Sequence, residues 1–345
     1  MDERAGPLPR ALGPLTWAAA RGYGAAVSWS NARLDRGAGV MRLEVEGRRV
    51  PVISVGNLSA GGTGKSPFVA WVAGQLEVPV IAMRGYRAAS PGESDEAREY
   101  AITAPHARLL VHPERYRNLL AGLSRPEAAG WRDRAVVVLD DGFQHRQLAR
   151  DLDIVLVDAT RAALDGDLLP HGWLREPASS IARADLVVVT KADEPARRAH
   201  AEALVERWRG RPADACCVHE WSGLTVHSAD GDRAEEVGWL GGRRVLSACA
   251  LGNPAHFHGM VESAGAEVAA RFVRGDHLPF GAEELDAAAK RAGAEWVVMS
   301  RKDFVKLGRL PRVPVVVPAL SLRFLSGEAA LRSAISARAP SASAS

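Results

Sequence analysis

Val52-Ile53-Ser54-Val55-Gly56-Asn57-Leu58-Ser59-Ala60-Gly61-Gly62-Thr63-Gly64-Lys65-Ser66-Pro67 sets the fold of this 345-residue chain. A β-branched run, a glycine-rich turn and a proline suited to a first helical turn make strand, loop and helix in that order. Such a loop closes backbone N–H groups around phosphate oxygens. Its lysine reaches the β and γ phosphates, its serine hydroxyl ligates Mg²⁺, and the helix N-terminus adds a positive dipole end. Ser59, Ala60, Gly61, Gly62, Thr63, Gly64, Lys65 and Ser66 are therefore the candidate nucleotide-binding residues. Ser59 stands where G-x-x-x-x-G-K-[ST] carries its first glycine. A chance lysine in a glycine-rich turn is the weaker reading, because the order of elements is right and the chain has only five lysines.

A phosphate loop needs a second Mg²⁺ anchor, usually an acid ending a buried strand. Val136-Val137-Val138-Leu139-Asp140-Asp141 supplies one, followed by the turn Gly142-Phe143-Gln144-His145. Asp140 and Asp141 join Ser66 as candidate metal ligands at the carboxyl edge of the sheet, where open α/β folds bind ligands. Either aspartate taken alone also suits the cap of a following helix.

Outward from this centre the chain alternates short strands and helices, the rhythm of a parallel sheet with crossovers. Strands are expected at Val50–Val55, Val78–Met83, Arg108–Val111, Ala135–Leu139, Asp153–Val157 and Leu186–Thr190. Helices are expected at Ser66–Leu76, Glu114–Leu123 and from about Pro195 to near Trp208. A second alternation has strands near Val245–Ala248, Trp296–Met299 and Val313–Val317. The expected fold is α/β: a mostly parallel sheet of the P-loop NTPase kind flanked by helices, with a smaller C-terminal α/β lobe and an N-terminal helical, membrane-associated segment. The expected divisions are a basic amphipathic segment over 1–45, a nucleotide-binding core over 46–210, an irregular connection over 211–242, the smaller lobe over 243–338 and a disordered Ser/Ala-rich tail over 339–345.

Hydrophobic residues make up 47% and charged residues 25%, a composition that supports a core and argues against general disorder. Cys216, Cys217 and Cys249 are too few and too badly spaced for a disulfide framework or a structural zinc site, which fits a reducing cytoplasm. Neither a spanning apolar run nor a secretory signal pattern is present in the sequence. A formal charge of +3 is too small to indicate a nucleic-acid partner, and nothing calls for a protein partner. The charge is uneven, however: Arg4, Arg10, Arg21, Arg33, Arg36 and Arg42 face the single acid Asp35 between residues 4 and 42. Residues 11–34 place Leu12, Leu15, Ala19, Tyr23, Ala26, Val27 and Leu34 at roughly helical spacing, with Trp17 and Trp29 nearby. One or two helices lying on an anionic membrane surface fit this pattern, and plain packing on the core fits it too.

Thr190-Lys191-Ala192-Asp193 is similar to the guanine-reading N/T-K-x-D element of GTPases, which raises a GTPase or metallochaperone-like switch as the alternative. The acid-x-x-Gly switch spacing is missing, because Leu139 stands where Gly142 would require an aspartate. A solvated strand end is the preferred reading of Thr190–Asp193. A membrane-recruited binding protein with a vestigial phosphate loop is a third class.

In series, these elements resemble the tetraacyldisaccharide 4'-kinase family from the basic leading helix to about Gly327. Val55–Pro67 is similar to that family's phosphate loop, including the missing first glycine. Arg84-Gly85-Tyr86 resembles its R-G-Y, Asp140–His145 its D-D-G-x-Q-H, and Leu169-Pro170-His171-Gly172-Trp173-Leu174-Arg175-Glu176 its L-P-x-G-P-x-R-E. Asp276-His277 resembles its D-H, and Lys302-Asp303 the end of its T-E-K-D. The chain departs at Ser94 and Ala97, which flank Asp95-Glu96 where the family has G-D-E-P, and at Arg87-Ala88, Trp173 and Arg301. The resemblance implies transfer of the γ-phosphoryl of ATP to the 4' hydroxyl of an acylated, lipid-linked glucosamine disaccharide 1-phosphate, at the cytoplasmic face of a bacterial inner membrane. It implies that Asp95 takes the hydroxyl proton with help from His277, and that Lys65 acts on the transferred phosphate. Glu96 is a further candidate for the metal. Arg84, Tyr86 and Arg115 are candidates for the acceptor, since arginine forks onto phosphate and a tyrosine ring stacks on sugar. Glu176 either lines the site or pairs with Arg175.

Overall fold

A computed structural model describes residues 13–60, 64–85, 95–160, 164–275 and 278–340, with only the backbone described at Asp95. The chain forms two compact units, one of residues 1–218 with 323–345 and one of His219–Leu322.

The first unit is built on parallel strands β3 (Val52–Asn57), β4 (Val78–Met83), β5 (Arg108–Val111), β6 (Ala135–Asp140), β7 (Leu152–Asp158), β8 (Leu186–Thr190) and the start of β9 (Ala215–Ser228), preceded by the small hairpin of β1 (Glu44–Val45) and β2 (Arg48–Arg49). Their order is β9-β8-β7-β3-β6-β4-β5. Every residue of β3, β6 and β7 is buried, so both faces are covered. That is why these strands read as continuous Val/Ile/Leu runs instead of alternating. Helices α2 (Lys65–Ala73), α3 (Asp95–Thr103), α4 (Arg115–Leu123) and α5 (Pro195–Arg209) connect the strands. On one face Leu119 and Leu123 of α4 share a core with Val80, Val137 and Leu139. On the other, Leu204 and Val205 of α5 pack with Val155, Val157, Val187 and Val189. The expected parallel α/β architecture is the one observed.

Strand β3 lies between β6 and β7, so the order of connection reverses beside it. This topological switch opens a crevice at the carboxyl ends of β3 and β6. Val55 is in register with Asp140, which sets the paired acids next to the start of the phosphate loop.

Residues 11–34 were open to one or two helices. One forms, α1 (Gly13–Asp35), with Pro14 in its first turn. It buries Thr16, Ala20 and Gly24 and exposes Leu15 and Trp29. A Cβ on Gly24 would lie 2.6 Å from Leu168 Cδ1, so glycine is what permits the close approach. Among the described residues no helix is long and apolar enough to cross a membrane.

The second unit contains parallel strands β11 (Arg244–Cys249), β12 (Glu267–Val273), β13 (Trp296–Met299) and most of β14 (Val315–Ser326), in the order β12-β11-β13-β14. Helices α6 (Pro254–Ser263), α7 (Ala282–Ala292) and the short α8 (Arg301–Phe304) accompany them. Two divisions differ from expectation. Segment 211–242 is not irregular: β9 pairs antiparallel with β10 (Gly231–Glu235), Leu224 opposite Glu235. Only Leu224 and Val226 are buried in that arm of the hairpin, too short an alternation to stand out among its polar and small residues. Residues 323–338 return to the first unit, where α9 (Glu328–Ser336) buries Leu331 and Ile335 and Phe324 packs 4.7 Å from the Trp71 ring.

Candidate active site

The phosphate-loop lysine begins α2, after Gly64 turns the backbone with φ of 78°. Its Nζ donates to Asn57 Oδ1 at 3.0 Å and lies 3.4 Å from Asp141 Oδ1. Asn57 is fully buried at the end of β3, and its own amide donates to the Ser59 carbonyl. Gln144 Nε2 donates to the Asn57 carbonyl at 2.9 Å. One asparagine thus holds the start of the loop, the lysine and the turn after β6. Gly61, Gly62 and Thr63 lie outside the described residues, as do Tyr86 and His277.

Asp140 and Asp141 face the same lysine in different surroundings. Burial raises the Asp140 carboxyl above its ordinary pKa, opposed by Lys65 and reinforced by the charge of Asp141. Tyr100, fully buried in α3, donates its hydroxyl to Asp140 Oδ2 at 3.0 Å. Burial and then the Asp140 charge push that phenol well above its usual range. For Asp141 burial works upward as well, but Lys65, Arg175 and Arg115 outweigh it and hold the carboxyl at about 2. Arg175 Nη1 donates to Asp141 Oδ2 at 2.6 Å. Asp141 has φ of 52°, a left-handed backbone that aspartate tolerates better than most residues. Behind the turn, a Cβ on Gly56 would meet the Phe143 backbone nitrogen at 2.6 Å, so only glycine lets β3 lie against it.

The donor set suits Mg²⁺. Asp140 Oδ1 and Asp141 Oδ1 are buried without a hydrogen-bond partner, and both are hard oxygen ligands close to Lys65. Among the described residues no group of three or more His, Cys, Asp or Glu is placed to cage a metal. Mg²⁺ bound through one or two carboxylates plus substrate phosphates needs no such cage.

Arg115 is buried, with Nη1 donating to the carbonyls of Asp140 at 3.0 Å and Asp141 at 3.1 Å. Burial lowers its pKa, while Asp141, Asp140 and Glu96 favour its charge and Arg84 opposes it. Arg84, Glu96, Arg115 and the aspartate pair are therefore electrostatic neighbours. His145 lies close to Arg115, Arg150 and Arg84, and burial followed by those charges lowers its pKa to about 4.

Glu176 does not pair with Arg175. Its oxygens receive Arg183 Nη1 at 2.7 Å and Nη2 at 2.8 Å, and Asn31 Nδ2 at 2.8 Å. Burial would raise this carboxyl, but those partners lower it. The reading of Thr190–Asp193 as a solvated strand end also needs correction. Lys191 is 5% exposed and its Nζ donates at 2.6 Å to Asp158 Oδ2 on the neighbouring strand. Asp158 Oδ1 in turn accepts from the Thr160 amide and hydroxyl. A partnered buried charge explains a lysine inside an apolar edge. Only Asp193 is exposed as expected.

Asn57, Tyr100 and Gln144 were not among the expected site residues. Asn57 and Gln144 stand inside the motifs already quoted, while Tyr100 carries no signal beyond lying in the helix that begins at Asp95.

The profile of the LpxK family, tetraacyldisaccharide-1-P 4'-kinase, matches residues 12–339. A tetraacyldisaccharide 4'-kinase from Geobacter metallireducens is 36% identical over 313 residues, 83% of this chain and 87% of that one. Another from Anaeromyxobacter dehalogenans is 37% identical over 330 residues, 88% and 84% of the two chains. The crystal structure of LpxK from Aquifex aeolicus in complex with ATP matches with a TM-score of 0.67 at 26% identity, covering 95% of this chain and 98% of that one. With a profile that spans nearly the whole chain and relatives above 30% identity along most of it, the chain belongs to the tetraacyldisaccharide-1-P 4'-kinase family.

Proposed function

We propose that this protein transfers the γ-phosphoryl of ATP to the 4' hydroxyl of an acylated glucosamine disaccharide 1-phosphate, as a peripheral enzyme at the cytoplasmic face of the inner membrane. The observation that carries the reading is the convergence of Lys65, Asp140 and Asp141 at the carboxyl ends of β3 and β6 in a chain of this family. The complex of the Aquifex relative with ATP supports the choice of nucleotide.

Phosphoryl transfer asks the protein for alignment and charge neutralisation more than for covalent chemistry. Lys65 neutralises charge on the transferring phosphate. Asp140, Asp141 and Ser66 would hold Mg²⁺, which would supply further positive charge for phosphoryl transfer, with Glu96 as a further candidate acid. Arg115 fixes the backbone of the aspartate pair, and Arg84 with Tyr86 meets the phosphate or sugar of the acceptor. Asp95 takes the proton of the attacking hydroxyl and His277 assists that step, roles that rest on the family motifs alone. Tyr100 supports this assignment by tying α3, the helix that Asp95 begins, to Asp140. Glu176 acts through Arg183 and Asn31 instead of touching the acceptor.

The acceptor is lipid-linked, so an enzyme that works on it must reach the interface. Leu15 and Trp29 on α1 are 72% and 71% exposed, with Trp17 beneath the Arg21 guanidinium. Aromatic and apolar side chains beside arginines suit an anionic membrane surface.

Purified protein given labelled ATP, Mg²⁺ and the detergent-dispersed acylated disaccharide 1-phosphate should label the disaccharide at its 4' position. Turnover of GTP alone with no labelled disaccharide would point to the nucleotide-switch reading, and no turnover at all would overturn the kinase.

A further inference from the structure

Beside the buried Thr16, Ala20 and Gly24, α1 carries two polar groups, the partly exposed Tyr23 and Asn31, that grip both chain segments that position Asp141. Tyr23 donates its hydroxyl to the Arg175 carbonyl at 2.8 Å, and Arg175 holds Asp141 at 2.6 Å. Eight residues along the same helix, Asn31 donates to Glu176 at 2.8 Å. From the turn after β6, Arg146 donates to the Asn31 carbonyl at 3.2 Å and to its side-chain oxygen at 3.1 Å, and pairs with Asp35. Arg183 closes the ring: it clamps Glu176, donates to the Phe143 carbonyl at 3.2 Å and stacks 3.7 Å over the Phe143 ring. The 142–146 turn and the 175–176 segment therefore meet on one stretch of α1.

We propose that Tyr23 and Asn31 are positioning residues of the catalytic centre, so that the helix turned toward the lipid surface also sets the Arg175–Asp141 contact. The inference rests on the kinase reading of the site. Polar groups that orient a metal-binding carboxylate act at one remove, and losing them typically costs about 10- to 100-fold in affinity or activity. A helix serving only as an anchor would leave chemistry on a detergent-dispersed acceptor untouched.

The test compares Tyr23→Phe and Asn31→Ala with Leu15→Ser and Trp29→Ser in the full chain. Rates are measured on the detergent-dispersed acylated disaccharide 1-phosphate. Equilibrium binding of ATP with Mg²⁺ is measured by calorimetry, sedimentation with phosphatidylglycerol vesicles, and melting temperature alongside. The inner-face variants should lose about tenfold or more in kcat, bind ATP with Mg²⁺ more weakly, and sediment with vesicles as the parent does. The outer-face pair should bind ATP with Mg²⁺ as the parent does and sediment less with the vesicles. Unchanged kcat and nucleotide binding in both inner-face variants would overturn the proposal. So would losses that merely follow a lowered melting temperature. A parent protein that transfers no phosphate would instead defeat the kinase reading, with the vesicle and calorimetric comparisons still standing.

Discussion

At the scale of single residues, Asn57 shows how the site divides its work: its side-chain oxygen receives the lysine, its amide holds the loop, and its backbone carbonyl holds Gln144. Lys65→Ala should lower the phosphoryl-transfer rate by about 100-fold or more while the melting temperature stays near that of the parent. A folded variant with near-normal turnover would reject the phosphate-loop assignment. Replacing both Asp140 and Asp141 by alanine should abolish the Mg²⁺ dependence together with the rate. His145 offers a pH test. Its folded pKa of about 4 lies below the ordinary value of 6.5, so between these pH values the unfolded chain binds the proton more readily. Its contribution to stability is intact above about pH 6.5 and is lost as pH falls toward 4. Ring resonances of His145 should titrate near 4, and His145→Asn should flatten the melting curve's pH dependence in that window. The convergence of Lys65 with the aspartate pair was legible because backbone order and charge type mark those residues. Tyr100 and the burial of Lys191 were not, since each depends on what stands across from it on another element.

At the scale of elements, six of the expected strands of the first unit appear within two residues of their predicted ends, three of them with identical limits. Buried parallel strands announce themselves by unbroken β-branched runs, and the helices between them by length. The β9–β10 hairpin and β12 escaped because half-exposed strands with Ser, Thr, Arg and Ala lack such runs. Two contacts between neighbouring elements make sharp predictions. Gly56→Ala would force β3 away from the Phe143 backbone and should cost about 1 to 3 kcal/mol, with a matching loss of activity as the aspartate turn moves. Asp158→Ala removes the carboxylate that holds the buried Lys191 ammonium at 2.6 Å, which should cost up to about 3 to 5 kcal/mol in chemical denaturation. The double change Asp158→Ala with Lys191→Met should recover much of that loss.

At the scale of the whole molecule, residues 1–45 are expected to bring the enzyme to anionic membranes, with about 1 kcal/mol from each arginine near the surface. Sedimentation with anionic vesicles should fall as salt is raised, while a residual part carried by Leu15, Trp17 and Trp29 persists. Equal binding to neutral and anionic vesicles would remove the electrostatic half of that account. The limits of the two units were not legible, because the return of residues 323–338 depends on Phe324, Leu331 and Ile335 finding partners far back in the sequence. That return has a consequence for synthesis. Trp71 leaves the ribosome some 250 residues before Phe324, its ring partner, and the entire second unit is made in between. At about 5 to 20 residues per second the first unit, complete to residue 218, waits roughly 5 to 20 seconds for its last strand end and helix. During that interval the nascent nucleotide-binding core carries an uncovered aromatic edge, the place where a chaperone would find it.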